Sequence, residues 1–166
     1  ETVSSTNGQK PRTNVFHCFQ MEADKIATEA TCLIYPGGRW LHQSGKGLKQ
    51  FGKDQINDKK LESIVYYPKS RDIFPSVDIP DGITIVMKNT RKETGGFKYT
   101  YITETEEQSI YMQNPGDELI PLDPRDSMII QKIDAFVNKY HLKYLPDAIL
   151  PRSLFGVESD FVEKHP

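Results

Sequence analysis

The sequence predicts a mostly β fold with one C-terminal α-helix, an antiparallel meander or barrel against which the helix packs. Two observations predict it. Between residues 83 and 114, apolar and polar residues alternate with a period of two in three successive runs. After Asp123, the period changes to that of a helix. The length of 166 residues suits a single compact domain, and 37% hydrophobic with 27% charged residues suits a globular core. A mean hydropathy of −0.56 and the lack of a long apolar run exclude an apolar membrane-spanning helix. The formal net charge of −2 gives no global basic field, so no nucleic-acid partner is expected.

Residues 1–14 are polar and read as a flexible arm. A chain that begins Glu1-Thr2-Val3 reads as a processed product or a fragment. The β-branched and aromatic run from Val15 to Met21 predicts a strand, and Thr31 to Tyr35 predicts another. Between them, Glu22 to Ala30 is ambiguous between helix and turn. A hairpin turning near Asp24 places Cys18 opposite Cys32, and a disulfide there would contribute about 3 kcal/mol in the chain-entropy model. Two buried free thiols are the alternative. The disulfide favours an extracellular home, although no Asn-x-Ser/Thr acceptor is present to support it.

Pro36-Gly37-Gly38 is a turn signal, and the lysine-rich stretch from Ser44 to Lys60 reads as a solvated loop, the alternative being that it contacts an anionic partner together with Arg39 and Trp40 upstream. Leu61 to Tyr67 is a short strand stopped by Pro68, and Pro75 and Pro80 break the following segment. Ile83–Lys88, Phe97–Ile102 and Ser109–Met112 form the predicted meander, with Phe97, Tyr99 and Tyr101 on one face. That row is either sheet core or the lining of a cavity. Asp123 as N-cap, Pro124 at the first helical position and Asp126 in the first turn open a helix over about 124–141. Its apolar stripe is Ile129, Ile133, Phe136, Val137 and Tyr140. The domain is expected to span 15–155, with 156–166 as an acidic tail.

Catalytic and metal-binding patterns are sparse. His17, His42, His141 and His165 are scattered, no HExxH or CxxC spacing occurs, and no G-x-S-x-G elbow surrounds a serine. Gly45-Lys46-Gly47 lacks the rest of a phosphate-binding loop. Neither a metal nor a cofactor is expected, and no catalytic residue is assigned. An enzyme site assembled from dispersed residues, with His17 and His42 as candidates, is the least favoured reading.

The order of hairpin, proline-containing connection, amphipathic helix and short returning strand resembles the C-terminal region of lipocalins. Phe136 to Ile149 is similar to that family's helix, Leu-Pro step and closing strand, and Gly38-Arg39-Trp40 matches its Gly-x-Trp motif. The resemblance covers about residues 97–150. It implies a barrel with an apolar cavity. The aromatic face and the resemblance together predict a secreted, non-enzymatic protein that binds a small apolar molecule, with Trp40, Phe97, Tyr99, Tyr101 and Tyr111 as ligand-binding residues. The alternative is a protein-interaction module, either a subunit of a larger assembly or a secreted effector that binds a host protein.

Overall fold

A computed structural model describes residues 2–3, 13–44 and 47–144. The chain divides into two compact units, Glu1–Asp126 and Ser127–Pro166. In chain order the first carries β1 (Thr2–Val3), β2 (Thr13–Asn14), α1 (Phe16–Ile26), β3 (Ala30–Pro36), α2 (Gly38–Leu41), α3 (Leu48–Asn57), β4 (Leu61–Tyr67), a 3-10 turn at Ser70–Asp72, β5 (Ile83–Asn89), β6 (Phe97–Ile102) and β7 (Glu107–Met112). Helix α4 (Pro124–Tyr140) starts at its end and occupies the second unit.

The main sheet has five strands in the order β3-β5-β4-β6-β7. Strand β5 is antiparallel to β3 and β4, β4 is parallel to β6, and β7 is antiparallel to β6. Strands β3, β4 and β6 therefore point the same way. The architecture is mixed α/β rather than mostly β. The sheet is open, with β3 and β7 as edges, so the expected barrel does not form. The expected meander is also broken, because β4 is inserted between β5 and β6.

Period-two alternation sends Tyr35, Ile64, Tyr66, Val86, Phe97 and Tyr99 to one face, where they meet Phe16, Trp40, Leu41, Leu48, Phe51 and Ile56 from the three helices. On the other face Cys32, Ile34, Met87 and Lys98 are exposed. Two helices occupy segments expected to be strand or loop. In α1, Phe16 stacks on Tyr35 with ring centroids 5.2 Å apart, and one turn later the buried Gln20 reaches Thr31 Oγ1 at 3.4 Å. These contacts outweigh the weak β preference of Val15–Phe19. In α3, Leu48, Phe51, Gly52, Gln55 and Ile56 are the buried positions, a helical stripe interleaved with the exposed Lys49 and the partly exposed Lys53.

Cys18 lies on α1 and Cys32 on β3, and both are free and exposed. The disulfide reading fails because a helix, not a paired strand, precedes β3. A thiol titration of native, unreduced protein is expected to find both cysteines reactive.

In the second unit, α4 confirms the expected helix, and its stripe of Ile129, Ile133, Phe136 and Tyr140 is exposed. The ring centroids of Phe136 and Tyr140 are 4.6 Å apart. No helix among the described residues is long and apolar enough to cross a membrane. The expected closing strand near Ala148–Leu150 and the tail lie outside the described residues.

Candidate functional site

In open sheets with parallel strands, ligands gather outside the carboxyl ends of those strands. Here β3, β4 and β6 present their carboxyl ends on one rim, and three connections meet there. They are the turn after β3, the long loop from Pro68 to Gly82, and the turn after β6.

The turn Pro36-Gly37-Gly38 is fastened to the end of the long loop. Gly37 N–H donates to Gly82 O at 3.1 Å, and Gly38 N–H donates to Asp81 O at 2.6 Å. A Cβ on Gly37 would come within 2.6 Å of Thr84 Cγ2, so glycine is needed for this approach. Gly82 adopts φ +64°, and a Cβ there would run into the carbonyl oxygen of Tyr67. Trp40 anchors the segment from below: its side chain is fully buried and its Nε1 donates to Thr84 Oγ1 at 3.2 Å. Thr84 Oγ1 in turn donates to Tyr35 O at 3.0 Å. On the outside, Arg39 Nε lies 2.7 Å from Asp81 Oδ2.

The long loop is braced internally by Ser70, which is 2% exposed. Its hydroxyl donates to Val77 O at 3.0 Å and accepts from Ile79 N–H at 2.7 Å. This clamp holds Phe74, Pro75 and Val77 out in solvent, with Phe74 39% exposed. Arg71 pairs with Asp78 at 3.1 Å, and Lys69 faces Glu104 of the β6–β7 turn at 3.8 Å. Between loop and turn lies a cleft of about 410 Å³, lined among others by Pro68, Lys69, Arg71, Asp78 and Glu104. The cations at this cleft each have a carboxylate partner, so it is not a purely basic cradle.

Along the rim toward β6, the rings of Tyr66 and Tyr101 lie 6.0 Å apart. Burial, then the neighbouring Tyr101 and Asp81, push the Tyr66 phenol up to about 12. Burial and the Asp123 charge also raise Tyr101. Both are therefore neutral hydrogen-bonding groups at physiological pH, not nucleophiles. Arg125 binds Asp123 through Nε at 2.9 Å and Glu106 through Nη1 at 3.0 Å, and its hydrogen bond holds the Asp123 carboxyl below the usual range. Among the described residues, no group of three or more His, Cys, Asp or Glu side chains is placed to hold a metal ion.

The five residues expected to bind a ligand are dispersed. Trp40, Phe97 and Tyr99 are fully buried in the core, with Tyr99 OH donating to Leu122 O at 2.7 Å. Tyr101 is half-buried at the rim. Tyr111 is exposed on β7, and its hydroxyl donates to Gly95 O at 3.1 Å. His17 packs at 5.7 Å from the Phe51 ring, while His42 is exposed at the end of α2. Ser70, Phe74 and Asp81, which shape the rim, carried only a run of prolines in the sequence, and Arg39 stood out only as a cation upstream of the lysine-rich stretch.

The family model for Eco57I restriction-modification methylase matches residues 2–74, fewer than half of the 166 residues. No curated protein matches the chain. The match includes Gly38-Arg39-Trp40, the motif that had suggested a lipocalin, so the similarity found there is to a restriction-modification methylase and not to a lipocalin. With an open sheet, free cysteines and this match, the lipocalin resemblance and the secreted apolar-ligand carrier are overturned, as is the interaction-module alternative. From β1 through the first turn of the long rim loop, the chain is similar to the Eco57I restriction-modification methylases.

Proposed function

We propose that this chain forms part of a methyl-transferring domain that acts on DNA, and that its rim is the DNA-facing side. The observation that carries the reading is the methylase match over residues 2–74, which takes in β3, the turn after it, β4 and the first part of the long rim loop. The chemistry fits the rim. An enzyme that modifies a base extrudes it from the duplex and holds it against an aromatic or apolar surface. Phe74 offers such a surface, held in solvent by the Ser70 clamp beside the cleft.

Fluorescence anisotropy with a matched duplex and with one carrying a single mismatch tests this. The mismatched duplex is expected to bind more tightly, because a mismatched base costs less to extrude. Phe74→Ala is expected to weaken that binding by about 1–3 kcal/mol, the usual contribution of one base stacked on an aromatic ring. Absence of binding to either duplex at roughly 10⁻⁴ M protein in low salt, the weak end of non-specific affinity, would overturn the reading.

A further inference from the structure

We infer that Arg39, held from behind by Asp81, grips a DNA phosphate at the rim; this rests on the methylase reading above. Arg39 follows directly on the turn after β3 and is half-exposed, with its side chain 42% accessible. Its carboxylate partner sits at Nε, 2.7 Å away, and neither Nη nitrogen donates a hydrogen bond to a described residue. The other described arginines differ. Arg71 and Arg91 spend an Nη on Asp78 and Glu29, and Arg125 is engaged at Nε and both Nη atoms. Arg39 is thus tethered by its inner nitrogen with its outer fork free, and that planar fork matches a phosphate bidentately.

The surroundings fix the position of Arg39 on the rim. Arg39 lies between Gly38, whose N–H is bonded to Asp81 O at 2.6 Å, and the fully buried Trp40. The carboxylate that tethers the guanidinium therefore belongs to the same residue whose carbonyl secures the turn. Tyr66 OH also lies 3.5 Å from that carbonyl. With a formal net charge of −2, the chain has no general attraction for DNA, so a phosphate contact has to come from a local, oriented cation of this kind.

The test is the salt dependence of duplex binding by wild type and three variants, with thermal melts as a check on folding. Arg39→Gln is expected to lower the slope of log K against log[salt] by about 0.9, the value of one phosphate contact on duplex DNA. Arg39→Lys keeps the charge but loses the fork, so it should keep the slope and bind on the order of tenfold more weakly. Asp81→Asn separates orientation from charge. It removes a negative charge, which by itself would tighten binding, whereas loss of the tether is expected to weaken it. Unchanged slope and affinity in Arg39→Gln, or tighter binding by Asp81→Asn, would overturn this inference and leave the methylase reading standing. If wild-type protein binds no duplex, both fail.

Discussion

Replacing Trp40 with alanine is expected to cost about 3–5 kcal/mol, the range for removing a large aromatic side chain from a packed core. Trp40 is fully buried, and its ring lies 5.9 Å from Tyr35 and 6.0 Å from Phe51, centroid to centroid. The cavity opens where α2, α3 and β3 meet, so these elements cannot collapse into it without separating from one another. Thr84 Oγ1 loses the indole donor but keeps its own bond to Tyr35 O. The loss would consume much of the roughly 5–15 kcal/mol by which a domain is stable. Urea unfolding followed by circular dichroism gives the result, since the single tryptophan is gone from the variant. Trp40→Phe retains most of the volume and is expected to lose much less. Equal unfolding midpoints for Trp40→Ala and wild type would contradict the packing described for this core.

Removing the Lys88 ammonium is expected to cost about 3 kcal/mol, because it leaves two partly buried carboxylates without their cation. The Lys88 side chain is 6% exposed on β5, and its Nζ donates to Asp24 Oδ2 at 2.7 Å and Asp58 Oδ2 at 2.8 Å. One side chain thereby ties α1 and the segment leading into β4 to β5, the strand between β3 and β4. A pH dependence follows. Burial pushes the Asp58 carboxyl up, but hydrogen bonds from Lys88 and the Lys60 N–H, with the charges of both lysines, bring it below its ordinary value. A carboxyl with a depressed pKa stabilises the fold above its unfolded value of about 3.9, and that contribution is lost as pH falls through the folded value. In Lys88→Met the alkyl chain still fills its space while burial acts on Asp58 without its main partner. With its pKa no longer depressed, protonation of Asp58 relieves the unpaired buried charge, so the deficit of Lys88→Met relative to wild type should be largest near neutral pH and shrink as pH falls toward 3. Unfolding midpoints between pH 3 and pH 7 provide the comparison, and superimposable profiles would refute a coupling between Lys88 and Asp58.

The local patterns of strands and helix were legible. Alternation located β5, β6 and β7, and the Asp123–Pro124–Asp126 start located α4, because side-chain period and capping are set by neighbours in the chain. The same patterns carry nothing about partners. Ile83–Asn89 and Phe97–Ile102 look like adjacent arms of a hairpin, yet β4 pairs with both. The aromatic row Phe97, Tyr99 and Tyr101 lies on one face as its spacing requires. Whether that face fills a core or lines a cavity depended on Trp40, Leu48 and Ile56 arriving from elsewhere in the chain. Helix α3 did have a readable signal at Leu48, Phe51, Gly52, Gln55 and Ile56, but the intervening lysines obscured it.

At the rim, the glycines of Pro36-Gly37-Gly38 marked a turn, and the prolines at 68, 75 and 80 marked a loop. Nothing local paired Arg39 with Asp81 or turned Ser70 into a clamp, since these contacts join segments that the sheet brings together. The sequence by itself determined which stretches form β5 to β7 and α4, and which residues share each face, because those properties arise within a few residues. Only the tertiary structure decided strand order, the helical state of Phe16–Ile26, the free cysteines and the composition of the rim. Each depends on burial against distant side chains, which outweighs the small local preferences.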